Sequence, residues 1–223
     1  MTCIADNLRR VKEMLPAGVE LVAVSKFHPV EALKEAYDAG QRCFGESRVQ
    51  ELTLKERDLP SDIRWHFIGH LQTNKVKQLI GKTSLIESVD SERLLRLIDS
   101  ESAKAGVITR VLMQVHVARE ETKFGFYPEE LLEFFTNRGF ETLTNTHICG
   151  VMGMASNTDD MDRVKADFHQ IAEIYRQIRD DESLGLRGFD TLSMGMSGDW
   201  PIAVEEGSNL VRIGTAIFGE REY

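Results

Sequence analysis

The feature that most constrains the fold of this chain is an alternation of short apolar runs with longer amphipathic stretches. The first run, Leu21–Val24, is continuously apolar, which is typical of a parallel strand covered on both faces. In Met161–Arg179 the apolar residues instead recur every three or four positions, which predicts an amphipathic helix. Strands that alternate with helices indicate a parallel α/β sheet.

Eight strands are predicted from such runs: Leu21–Val24, Arg42–Gly45, Arg64–Gly69, Leu85–Val89, Arg110–Val117, His147–Met154, Thr191–Met194 and Leu210–Ile213. Helices are predicted before and between them at residues 4–15, 29–40, Ser47–Asp58, Asn74–Ile80, Ser91–Ala105, Pro128–Asn137, Met161–Arg179 and Trp200–Glu206, with Ser91 and Asp159 as N-caps. Eight strands in 223 residues fit a single (β/α)8 barrel of the TIM type, and we expect residues 1–223 to form one such domain. A doubly wound open sheet is the alternative, because periodicity does not show closure.

Composition limits the partners and the compartment. A net charge of −9 argues against a nucleic-acid partner, and no apolar run approaches the roughly 20 residues of a membrane helix. Cys3, Cys43 and Cys149 fit neither a disulfide framework nor a zinc spacing, so we expect free thiols in a reducing compartment. The N-terminus shows no leader pattern. We therefore expect a cytoplasmic protein without a metal, a membrane or a nucleic acid as partner.

Lys26 follows directly on the first strand, at the end of a β/α barrel where reactive residues lie. If its side chain points inward with Val22 and Val24, partial desolvation favours a neutral amine that forms an imine with a carbonyl. The alternative is a lysine that extends from the barrel rim into solvent. Its position alone does not decide between the two.

Glycine and hydroxyl residues stand together in the loops after the last two strands. Ser197 and Gly198 follow the seventh strand, and Gly214 and Thr215 end the eighth. Loops with free backbone N–H groups bind anions, and α/β barrels often hold phosphate with these two loops. We therefore predict a phosphate site here, the alternative being two ordinary β–α turns.

A reactive lysine opposite a phosphate site points to a phosphorylated aldehyde. Pyridoxal phosphate fits, and a phosphosugar held by an aldolase-like lysine would fit the same residues. Arg212 stands two residues before Gly214, so the two residues face the same side of the strand, toward the barrel interior. Its guanidinium could therefore face the pyridine nitrogen of pyridoxal phosphate. A fixed cation there keeps the nitrogen unprotonated and weakens the cofactor as an electron sink.

Six stretches support this interpretation, and they occur in order across nearly the whole chain: Val22–Lys26, Phe44–Glu51, Trp65–Lys75, Lys123–Gly125, Leu192–Asp199 and Val211–Gly219. Together they resemble the YggS/PROSC family of pyridoxal phosphate homeostasis proteins, relatives of the alanine racemase barrel. The resemblance implies that Lys26 carries pyridoxal 5′-phosphate (PLP) as a Schiff base and that Arg212 faces its ring nitrogen. It further implies that the phosphate is held by Ser197, Gly198, Gly214 and Thr215. Ser47, shorter than the asparagine that the family often has at this position, is the remaining cofactor-binding candidate.

The resemblance also implies a role in intracellular PLP homeostasis, with PLP-dependent apoenzymes as partners, and no robust catalytic turnover. Related racemases take a second base, a tyrosine, from a C-terminal β domain, whereas this sequence ends ten residues after Ile213. Since that domain carries the main racemase dimer contact, we expect a monomer. The alternative is a PLP-dependent enzyme acting on amino acids, such as a weak racemase or decarboxylase.

The roles of other polar residues near the predicted barrel mouth are less clearly indicated by the sequence. His66 and His70 lie four residues apart, but His66 falls in a predicted strand and no third metal ligand is apparent. We expect a structural role for His66 and a place in a mouth loop for His70. Lys75 and Lys123 are expected to be surface charges.

Overall fold

A computed structural model describes residues 3–117 and 124–220, so Lys123 lies outside the described residues. Within them, eight parallel strands form a closed barrel in sequence order. The strands are β1 (Glu20–Val24), β2 (Cys43–Glu46), β3 (Arg64–Phe67), β4 (Leu85–Val89), β5 (Thr109–Val115), β6 (Thr146–Gly153), β7 (Thr191–Ser193) and β8 (Leu210–Ile213). Pairing between β1 and β8 closes the barrel, which confirms the predicted fold and excludes the open sheet.

Helices precede, separate and follow the strands: α1 (Ile4–Met14), α2 (Val30–Asp38), α3 (Val49–Asp58), α4 (Val76–Leu79), α5 (Glu92–Ala105), α6 (Pro128–Thr136), α7 (Met161–Arg179), α8 (Trp200–Glu205) and α9 (Thr215–Phe218). The predicted helix Asn74–Ile80 is instead a 3-10 turn, Thr73–Lys75, followed by the short α4. The last helix, α9, was not predicted. In the described part of the chain, no helix has the length and apolarity needed to cross a bilayer.

Side-chain caps explain two helix boundaries. Ser91 caps α5, as predicted, because its hydroxyl accepts a hydrogen bond from the backbone N–H of Leu94 at 3.3 Å. At α7 the predicted cap, Asp159, is wrong by one position. Asp160 caps this helix, because an N-cap carboxylate bonds the N–H group three residues ahead and here accepts from Arg163 at 3.1 Å.

Strand side chains alternate between two apolar cores. The larger core packs the helices onto the outside of the barrel. The smaller core joins non-neighbouring strands and therefore fills the barrel interior; it contains Val22, Cys43, Leu85, Leu112, Cys149, Met152 and Leu210. A register shift in β6 at Gly150 allows Cys149 and Met152 to belong to the same core. An added Cβ at Gly150 would lie 1.8 Å from the carbonyl oxygen of Thr191, so only glycine fits this bulge.

Candidate functional site

A layer of buried polar side chains crosses the barrel interior on the C-terminal side of the apolar core. Glu87 of β4 lies 2.6 Å from Nδ1 of His66 in β3 and accepts a 2.6 Å hydrogen bond from the hydroxyl of Ser193 in β7. Arg212 of β8 donates to the same hydroxyl and, at 3.0 Å, to the carbonyl oxygen of Gly153. Because β4 and β7 are not neighbours, these bonds connect opposite walls of the barrel.

Opposite charges within this layer stabilise one another. Burial alone would lower the pKa of His66, but the neighbouring Cys43 and Glu87 raise that pKa to about 10. Burial alone would raise the pKa of Glu87, but His66, Arg212 and Ser193 hold it below its usual value. Burial lowers the pKa of Arg212, yet an arginine stays protonated in proteins and its guanidinium lies 3.6 Å from Glu87. At neutral pH the layer therefore contains two cations and one carboxylate.

The raised pKa of His66 predicts that the protein becomes less stable in alkaline solution. A histidine with a pKa of about 10 when folded and near 6.5 when unfolded releases its proton on unfolding between these values. Its contribution is complete below the lower value, and the free energy of unfolding then falls by at most about 1.4 kcal/mol per pH unit up to the higher one. Urea denaturation between about pH 6 and 9 measures this slope. His66→Gln, which keeps an amide donor beside Glu87, should make the free energy of unfolding less dependent on pH. Equal slopes in the two proteins would contradict the raised pKa of His66.

Lys26 is half-buried in the turn that follows β1. Strand β1 pairs with β8 in a register that sets Val22 beside Arg212. An added Cβ at Gly214 would lie 3.1 Å from the carbonyl oxygen of Val24, two residues before Lys26. The prediction that Lys26 lies opposite the predicted phosphate site is wrong. The closed barrel makes β1 and β8 neighbours, so Lys26 and the Gly214 loop leave adjacent strands at the same end.

The two glycine–hydroxyl loops meet at this end of the barrel. The backbone N–H of Gly214 donates to the hydroxyl oxygen of Ser197 at 3.3 Å, which joins the loop after β8 to the loop after β7. Ser197, Gly198 and Thr215 are exposed. Among the described residues, nothing accepts a hydrogen bond from the backbone N–H of Ser197 or Gly198. Hydroxyl and N–H donors that converge without a side chain at Gly198 or Gly214 suit the oxygens of a phosphate group.

Ser47 lies just after β2, which neighbours β1, and is half-buried. Its backbone packs tightly against Gly69, where an added Cβ would be 2.2 Å from the carbonyl oxygen of Ser47. All seven cofactor-binding candidates thus lie in or directly after β1, β2, β7 and β8, which are consecutive around the barrel. The structure brings these candidates together on one side of the mouth.

The two histidines of the third stretch have separate surroundings. His66 faces the interior layer, whereas His70 is exposed, 2.9 Å from Asp90 through Nδ1 and stacked on Phe124 at 3.6 Å between ring centroids. Lys75 is half-buried at the end of the 3-10 turn. Within residues 3–117 and 124–220, no group of three His, Cys, Asp or Glu side chains is placed to hold a metal ion.

Glu87 and Ser193 were not predicted as site residues, and neither was the charge on His66. Glu87 stands in the middle of the otherwise apolar run Leu85–Val89, and a carboxylate inside a buried strand requires a buried partner. That signal was available from the sequence. The identity of the partners was not, because it depends on which strands face each other across the barrel.

Comparisons with known proteins identify the family of this chain. The family model described as "Alanine racemase, N-terminal domain" matches residues 1–222. The chain is 40% identical over 229 residues to the pyridoxal phosphate homeostasis protein of Aquifex aeolicus (strain VF5), covering 98% of each. It is 39% identical over 208 residues to the Schizosaccharomyces pombe protein of that name, covering 92% of this chain and 85% of that one. The chain belongs to the pyridoxal phosphate homeostasis protein family. This confirms the resemblance described from the sequence motifs.

Two solved structures share the barrel fold of this chain. PipY of Synechococcus elongatus PCC7942, solved with PLP bound, is 36% identical with a TM-score of 0.88, covering 97% of this chain and all of PipY. Alanine racemase from Clostridium difficile 630 is 17% identical with a TM-score of 0.75, and the match spans 99% of this chain but 60% of the racemase. The second likeness concerns the fold alone.

Proposed function

We propose that this chain binds PLP and takes part in the intracellular supply of that cofactor. One observation carries the proposal: Lys26 and the joined Ser197 and Gly214 loops leave the same end of neighbouring strands. A small phosphorylated aldehyde requires an amine that reacts with its carbonyl and, beside it, a loop that binds its phosphate. The PLP bound to PipY, a relative that aligns over its whole length, supports the choice of PLP.

Each candidate residue has a role in this proposal. The Lys26 amine bonds to the aldehyde carbon of PLP as a Schiff base, and the aldehyde oxygen leaves as water. Ser197, Gly198, Gly214 and Thr215 bind the phosphate through hydroxyl and backbone N–H groups, and Ser47 lines the mouth beside Lys26. The donor character of these groups and the open space at Gly198 support the assignment.

Arg212 favours a carrier over an enzyme. Glu87 and Ser193 hold its guanidinium in the interior, and a fixed cation at the pyridine nitrogen keeps that nitrogen unprotonated. An unprotonated ring withdraws electrons weakly, which disfavours the amino-acid reactions that require a strong electron sink. We therefore propose a cytoplasmic, single-domain, monomeric protein that holds PLP and releases it to apoenzymes, in keeping with the homeostasis role named for its relatives.

Borohydride trapping tests this function. The protein is mixed with PLP, reduced with sodium borohydride so that any imine becomes a stable amine, digested and analysed by mass spectrometry. We expect a phosphopyridoxyl group on the peptide that contains Lys26. A parallel sample with dihydroxyacetone phosphate tests the aldolase alternative and should give no adduct. Reduction of PLP onto other lysines but not onto Lys26 would overturn the proposal.

A further inference from the structure

A group of three charged side chains, two of them buried, lies behind the turn that carries Lys26. Glu46 ends β2, and Glu51 and Lys55 lie one helical turn apart on α3; we call these three residues the turn clamp. The Lys55 ammonium lies 2.7 Å from the Glu46 carboxylate and 3.5 Å from that of Glu51. Lys55 is 6% exposed and Glu46 is fully buried, so the pair is shielded from solvent.

The turn clamp bonds the backbone on both sides of Lys26. The Lys55 ammonium donates to the carbonyl oxygen of Ser25 at 2.9 Å. The Glu51 carboxylate accepts a hydrogen bond from the backbone N–H of Phe27 at 2.9 Å. The residues immediately before and after Lys26 are thus each fixed by a charged side chain of α3.

The turn adopts a conformation that requires such support. Phe27 has φ +68°, a left-handed backbone that a bulky aromatic residue rarely adopts. A conformation of this kind is strained and persists only where neighbouring groups impose it. The Glu51 hydrogen bond is one such group, and the Arg48 guanidinium, 4.6 Å above the Phe27 ring, is another.

Stability alone does not account for a buried lysine at this position. Replacing a buried ion pair with apolar side chains is often neutral or stabilising, because two charges must otherwise be desolvated. Burial raises the pKa of Glu46, against the opposing effect of Lys55, so the carboxylate also depends on its partner. The bond from Lys55 to Ser25 connects this costly pair to the turn of the reactive lysine.

We propose that Glu46, Glu51 and Lys55 are positioning residues that hold Lys26 for bond formation with the aldehyde of PLP. They act through the backbone of Ser25 and Phe27. The inference rests on the proposed function, since it assumes that Lys26 is the residue that captures PLP.

Two variants test the turn clamp. Glu46→Gln combined with Lys55→Met removes both buried charges, leaving neither one unpaired, and Glu51→Ala removes the acceptor of the Phe27 N–H. Glu56→Gln on the same helix is the matched control, because Glu56 pairs with Lys82 at the surface. Each protein is titrated with PLP and with pyridoxine 5′-phosphate, which keeps the ring and phosphate but has an alcohol in place of the aldehyde.

We expect both clamp variants to bind PLP at least about tenfold more weakly, while their affinity for pyridoxine 5′-phosphate stays within about twofold of the parent. Amide exchange at Phe27 in Glu51→Ala, measured without any ligand, should be faster than in the parent, because the N–H loses its acceptor. The control should match the parent in every measurement.

The outcomes separate the two proposals. Equal losses for both ligands would show a general structural role for the turn clamp, and unchanged PLP affinity in both variants would show no role; either result overturns the inference. If the parent protein itself captures no PLP on Lys26, the proposed function fails instead. Exchange at Phe27 would still report whether Glu51 holds the turn.

Discussion

Replacing Lys26 with alanine is expected to abolish covalent capture of PLP while the barrel stays folded. Without the ε-amine no Schiff base forms, so the visible absorption of the bound cofactor and the borohydride adduct are both lost. The hydroxyl and N–H donors of the Ser197 and Gly214 loops, which we propose bind the phosphate, remain, so weak reversible binding should persist. We expect affinity to fall at least about 100-fold, which corresponds to roughly 3 kcal/mol. Absorption spectra and equilibrium dialysis measure the two effects.

The matched control for this substitution is Lys75→Ala. Lys75 is also a half-buried lysine that follows a strand, and it lies in the 3-10 turn after β3. The Lys75→Ala variant should retain the absorption band and the borohydride adduct of the parent protein. Since Lys26 lies in a turn outside both apolar cores, circular dichroism and the urea midpoint should be nearly unchanged in either variant. Retained colour in Lys26→Ala would refute the central assignment.

The fold was predictable from sequence because its elements are strongly patterned. The periodicity of Met161–Arg179 and the apolar run Leu210–Ile213 gave the bounds of α7 and β8 that the structure has. Helix boundaries that depend on a single contact were harder to predict from the sequence. The cap of α7 depends on which of two adjacent aspartates reaches the Arg163 N–H, and α9 is too short to produce a periodic pattern.

The places of the candidate site residues were predictable only where they depend on position along a strand. Lys26 and Gly214 follow from the rule that strand ends form the mouth of a β/α barrel. The contact of Glu87 with Ser193 joins residues 106 apart and depends on barrel closure, which periodicity does not show. The turn clamp could not be predicted from the sequence for a different reason. Glu51 and Lys55, four residues apart on a helix, have the spacing of an exposed ion pair, whereas Lys55 is buried against Glu46 of β2.

Replacing Glu87 with glutamine is expected to lower the free energy of unfolding by about 3–5 kcal/mol. Glutamine keeps the shape and much of the hydrogen-bonding capacity, so the loss would come from His66 and Arg212, which remain buried without their counter-charge. The pKa of His66 should fall in this variant, because Glu87 no longer raises it. Urea denaturation near neutral pH gives the free energy, and an NMR titration of the His66 ring gives the pKa.

Two further variants isolate the charge effect in the interior layer. Glu92→Gln breaks an exposed pair with Arg96 on α5 and should cost no more than about 1 kcal/mol. Glu87→Gln combined with His66→Gln removes one unpaired cation and should be less destabilised than the sum of its single variants. If Glu87→Gln were no more damaging than Glu92→Gln, Glu87 would not be the counter-ion of the layer. Arg212 would then lack the support that keeps it a fixed cation, and one physical reason for expecting a carrier rather than an enzyme would be lost with it.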